Sequence, residues 1–188
     1  YTEENRRNRI HPHKFALWVA MASIIMMFAA LTSAYLVRQA AGNWLEYGMP
    51  GMFYFHTAVI LLSSFTLHGS YLGFKAGKEA LYKGLLVISL LLGIAFVVLQ
   101  YYGWQELYQI GIYLTGNPSG AFFYMISGLH AVHVLGGISA LTVALIHAFV
   151  LRFNVTAKRK NRFQLVLHYW HFVDILWVYL FVFVLLQH

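Results

Sequence analysis

The chain has no cysteine, which removes disulfides, thiolate metal sites, thioether-linked haem and a cysteine-bridged copper centre from its chemistry. Charge is the next scarcity: only 10% of the 188 residues are charged, and only 6 of them are acidic. A composition that is 60% hydrophobic, with its apolar residues in runs too long for a soluble core, identifies an integral membrane protein. No phosphate-cradling glycine loop and no nucleophile-plus-base constellation occurs, so neither chemistry has a basis in the sequence. The 13 Lys and Arg outnumber the acids but cluster between the apolar runs, which makes them a topology signal and not a nucleic-acid footprint.

What is present is five apolar runs, at about 15–38, 53–74, 84–103, 121–150 and 164–187. They predict an all-α fold, a bundle of five transmembrane helices forming a single domain over 15–188, preceded by a basic cytoplasmic arm at 1–14. The first run far exceeds the roughly 7–15 apolar residues of a signal peptide and reads as a retained span. With the N-terminus inside and the C-terminus outside, all Lys and Arg except Arg38 fall on the inner side, as the positive-inside bias demands. Gly69, Gly73 and Gly77 on span two, and Gly136, Ala140 and Ala144 on span four, repeat at four-residue spacing and predict close helix packing. Gln105, Glu106 and Tyr108 fall in the aromatic and polar connection after span three, an expected interfacial contact.

The last span carries Asp174, with His171 one turn before it and Trp170 and Trp177 beside it. A carboxyl at bilayer depth is costly unless neutral or paired, so it is expected to face the bundle interior and to have a partner. Span four reaches His130 after about nine residues and span five reaches Asp174 after about ten, roughly 14 and 15 Å into a core of about 30 Å. On that depth match, His130 or His133 is the expected partner, and Asp174, His171, His130 and His133 form a structural polar cluster with proton transfer as the minority reading. His56 and His68, near opposite ends of span two, are expected to be interfacial or capping residues. His11 and His13 are too slight a pair to define a metal site, and no metal ligand set is assigned.

Two stretches are distinctive enough to carry a family resemblance. Phe122–Gly137, with His130 and His133, and Tyr169–Trp177, with His171 and Asp174, closely resemble the paired signatures of subunit III of haem–copper terminal oxidases. Gln105–Tyr108 and Ser33–Arg38 are also similar to that family. The resemblance covers essentially the whole chain and implies the five-span form that lacks the first two of seven spans, and with them the lipid-filled cleft they create. Many members carry a glutamate inside the first span of this form; here Ala22 and Ser23 are followed by Ile24, so that carboxyl's role does not carry over.

The resemblance implies a non-catalytic accessory subunit of a proton-pumping oxygen reductase in the bacterial inner membrane. It would bind no cofactor itself, pack on catalytic subunit I and the other oxidase subunits, hold structural phospholipids and support proton uptake, with a respiratory supercomplex as a further setting and no role for nucleic acid. Haem and copper would belong to partner subunits, and the electron donor, cytochrome c or quinol, is not encoded in this chain. The alternative reading is a haem b-binding membrane anchor with His130 and His171 as axial ligands.

Overall fold

A backbone surrounded by hydrocarbon must satisfy its own polar groups, and each apolar run does so as one long α-helix. The computed structural model describes residues 12–187, and these form five helices with no strand among them. They are α1 (Pro12–Ala40), α2 (Gly51–Lys75), α3 (Glu79–Gln109), α4 (Pro118–Val150) and α5 (Ala157–Leu186), each long and apolar enough to cross a membrane. The basic arm read at 1–14 lies, up to His11, outside the described residues.

The helices overrun the apolar segments at most ends, because a helix continues through the interfacial region where hydropathy has already fallen. The clearest case is α3, which continues through Gln105, Glu106 and Tyr108; these residues are its last turns and not a connecting loop. Helix starts are marked by local chemistry. Asn117 caps α4 by accepting from Ser119 N at 2.9 Å, with Pro118 in the first turn, and Thr156 caps α5 by accepting from Arg159 N. Gly77, at φ +73°, makes the tight turn from α2 to α3, so the third glycine of its stripe serves a backbone conformation and not a helix contact.

Four helices form a ring in which α2 packs on α3, α3 on α4, α4 on α5 and α5 back on α2, while α1 leans on α4 and α5 from outside. The main core fills the ring from Phe53, Ile60 and Leu67 through Phe96, Val134 and Leu141 to Trp170, Val173 and Trp177. A second cluster joins α1 to the ring through Phe28, Tyr35, Ile126, Leu176 and Leu180. The 41–50 connection is fastened to α4 at Asn117, whose Nδ2 donates to Asn43 O while its Oδ1 accepts from Leu45 N. In the same connection, burial pushes the Tyr47 phenol up, against a hydrogen bond to Ser119 that pulls it back.

Close approach is concentrated on one side chain. Trp170 is fully buried, and its indole lies between Gly93 of α3 and Gly137 of α4. A Cβ at Gly93 would stand 2.7 Å from Trp170 Cη2, and one at Gly137 would stand 2.9 Å from its ring, both closer than van der Waals contact allows. Gly136, the glycine on the four-residue stripe, would meet only Tyr169 OH at 3.5 Å. Gly69 and Gly73 do face α3, where Leu85 and Leu81 lie 3.1 and 3.2 Å from a built Cβ.

Candidate functional site: the buried polar seam

A line of polar side chains bonds α2 to α5. Tyr71 OH accepts from Gln164 Nε2 at 2.6 Å, Ser63 Oγ from Trp170 Nε1 at 3.2 Å, and Thr57 Oγ1 from Trp177 Nε1 at 2.9 Å; Ser64 Oγ and His171 Nδ1 share a further bond. From Thr57 with Trp177, through Ser63 and Ser64 with Trp170 and His171, to Tyr71 with Gln164, the bonds advance along α2 as they retreat along α5, the rungs of an antiparallel ladder. Hydroxyls on α2 and long polar side chains on α5 make this possible within an apolar interface. The ladder extends sideways, because Ser63 Oγ donates to Ser89 O of α3 and Thr66 Oγ1 is 2.8 Å from Ser89 Oγ.

Asp174 sits in the interval between the Ser64 and Thr57 rungs and is only 2% exposed. Ser64 is the hydroxyl that bears on its carboxyl, although neither carboxyl oxygen meets hydrogen-bond geometry among the described residues. The partner expected on α4 is therefore corrected. His133 Nδ1 is 2.7 Å from Leu129 O of its own helix, its ring meets Phe28 of α1 edge-on, and its carbonyl accepts from Tyr169 OH. Counting residues fixes depth along a helix but not rotation about its axis, and His133 turns toward Phe28 of α1. His171, one turn before Asp174 on α5, is engaged by Ser64 of α2.

His130 belongs to a different layer. Its ring is 5.0 Å from that of Trp177 and 6.1 Å from Phe96, while His56 lies 5.4 Å from Trp177 and 5.2 Å from Phe96. One ring from each of α2, α3, α4 and α5 thus closes the bundle centre. His56 is fully buried here, so the interfacial role expected from its position near the start of span two is corrected; α2 begins only five residues earlier, but the rings of Phe53, Phe96 and Trp177 pack around it. His68 is exposed on α2 with its ring 5.7 Å from that of His171.

Gln100 of α3, 1% exposed, shares the buried face with Phe96 and Gly103 and is the one interior amide that inspection of the sequence overlooked. Its signal was available as a polar residue in a Leu/Ile/Val run. Gly93 and Gly137 were missed because neither stands in a repeating stripe. Ala140 and Ala144 line a cleft between α4 and α5.

Chemically, the seam joins helices through side-chain hydrogen bonds. Among the described residues, no group of three or more His, Asp or Glu side chains is placed to hold a metal. His130 and His171, the alternative axial pair, have unlike surroundings: aromatic rings press on the first, and the Ser64 rung engages the second.

The family model described as cytochrome c oxidase subunit III matches residues 14–187. The probable cytochrome c oxidase subunit 3 of Nocardia farcinica is 34% identical over 171 residues, covering 86% of this chain and 81% of that protein. That of Mycobacterium tuberculosis is 32% identical over 173 residues, covering 87% and 82%. The cytochrome c oxidase subunit 3 of Oryctolagus cuniculus is 32% identical over 127 residues, 68% of this chain and 47% of that protein.

Proposed function

Because this chain belongs to the cytochrome c oxidase subunit III family, a family of haem–copper oxidase accessory subunits, we propose that it acts by holding the catalytic subunit in its working conformation in the bacterial inner membrane. The observation that supports this reading is the α2–α5 ladder, whose side chains bond helix to helix. A part whose polar chemistry is internal contributes rigidity to whatever it packs against. The relatives' names support a complex of the cytochrome c oxidase kind, and haem and copper would reside in its other subunits. The basic ends at Lys75–Lys83 and Arg152–Arg162 face the cytoplasm, with the 41–50 connection outside. Support of proton uptake and retention of phospholipid follow from the same placement beside the catalytic subunit.

The haem-anchor alternative finds no support in the comparisons. The test is to purify the oxidase with and without this chain and to follow activity through sustained turnover. Equal haem and copper content with faster decay of activity in its absence is expected; equal lifetimes would overturn the stabilising role. Mass spectrometry of the copurified chains identifies the partners, and the visible spectrum of the isolated subunit is expected to lack a stoichiometric Soret band.

A further inference from the structure

An outward-facing imidazole is costly on a bundle set in hydrocarbon, and two of them stand together here. His68 of α2 and His168 of α5 are both exposed. His68 lies seven residues before Lys75 at the end of α2, and His168 lies eleven after Ala157 at the start of α5, about 10 and 16 Å along their helices. Both depths fall within a hydrocarbon core of about 30 Å.

The ladder sets the two side by side. Ser64 engages His171, and Tyr71 accepts from Gln164; His68 falls between the first and second of these rungs on α2, as His168 does on α5. The His68 ring is 5.7 Å from that of His171, which follows His168 by three residues on the same side of α5. Three imidazoles therefore share one patch on the outer side of the α2–α5 seam. Lys14 of α1 closes the patch at its basic end, its Nζ donating to Gln164 Oε1 at 3.1 Å.

Among the described residues, neither His68 nor His168 has a hydrogen-bond partner. The outward face of α3 is the contrast: Ile88, Leu91, Ile94 and Val98 are side chains that hydrocarbon accepts. Ring N–H groups against lipid would forfeit their hydrogen bonds, so the neighbour of this patch is protein. Imidazoles beside an ammonium call for acceptors, and a carboxylate supplies them with complementary charge.

We infer that the His68, His168 and His171 patch is the face through which this chain docks on the oxidase, against a transmembrane segment of the catalytic subunit that carries Asp or Glu at the same depth. The inference rests on the oxidase reading and adds to it which face is used and what the partner presents.

Photoreactive benzoylphenylalanine is placed at Leu72, one turn from His68 and 51% exposed, or at Leu91 on the α3 face, 60% exposed, and native membranes are irradiated. Leu72 is expected to link to the catalytic subunit, on a segment with an acid within one turn of the linked residue, and Leu91 to give lipid adducts alone. H68L/H168L should lower the amount of copurifying subunit by about tenfold, the effect of one lost hydrogen bond to a charged group whose partner stays buried. H68Q/H168Q, which keeps N–H donors, should restore most of it.

Lipid adducts alone at Leu72, a link to a segment without an acid, or a link to a second copy of this chain would overturn the proposal. Undiminished copurification of H68L/H168L, or equal losses in the Leu and Gln pairs, would do the same. If H68L/H168L does not accumulate in the membrane, the cross-link decides. A wild-type subunit that purifies apart from haem and copper would overturn the oxidase reading itself, whereas copurification with lipid adducts alone at Leu72 removes only this face.

Discussion

Trp170 and Asp174 lie one turn apart on α5 and show what a side chain's identity does and does not reveal. Their buried, bundle-facing placement follows from cost, since neither an indole N–H nor a carboxyl is tolerated against lipid. The partners do not follow, because a partner depends on how two helices are rotated against each other. Hence Ser63, Ser64, Gly93 and Gly137 were unreadable as neighbours, while His133 was nominated on height and points elsewhere. Gly93→Ala and Gly137→Ala are expected to destabilise the subunit by about 1–3 kcal/mol, the cost of overpacking, whereas Gly136→Ala should be nearly neutral. Thermal unfolding of the purified subunit in detergent checks this ordering. At the seam, Asp174→Asn should leave assembly with the oxidase intact, while Asp174→Leu, an apolar side chain set against Ser64 and His171, should reduce copurification. If the Asn variant assembled normally but abolished proton pumping, Asp174 would be a carrier and not a structural acid.

At the scale of the element, the number and course of the helices were legible because hydrophobic runs and bilayer thickness leave few choices. Ends were less so: α3 runs on past its apolar segment through Tyr108, since nothing in Trp104–Gln109 breaks a helix before Gly111, at φ +88°. The two small-residue stripes carried the same pattern and have different outcomes, one closing α2 onto α3 at Gly69 and Gly73 and the other opening a cleft at Ala140 and Ala144. A stripe permits close approach without compelling it. The attachment of α1 is narrower than that of any ring helix, resting on Phe28, Tyr35 and a 3.3 Å contact between Thr32 Oγ1 and Tyr179 OH. Tyr35 also meets Trp44, Phe122 and Phe183 edge-on, so Tyr35→Ala should release α1 at a cost of about 3–5 kcal/mol while the four-helix ring stays folded. Limited proteolysis in the 41–50 connection, rising in the variant with the other connections still protected, is the expected readout.

For the whole molecule, the absence of cysteine is experimentally useful, because a single introduced thiol reports topology without background. A thiol in place of Asn43 should react with an impermeant reagent from outside intact cells and one in place of Lys160 should not; the reverse pattern would invert the proposed orientation. The ring order of the helices also bears on how the molecule comes into being. Trp170 lies on α5, which follows α3 and α4 in the chain, yet it fills the space between them. Until α5 is inserted, those two helices can meet only across an empty groove. The contact between α3 and α4 is therefore completed only when α5 is in place, and Trp170 is the part that joins the two.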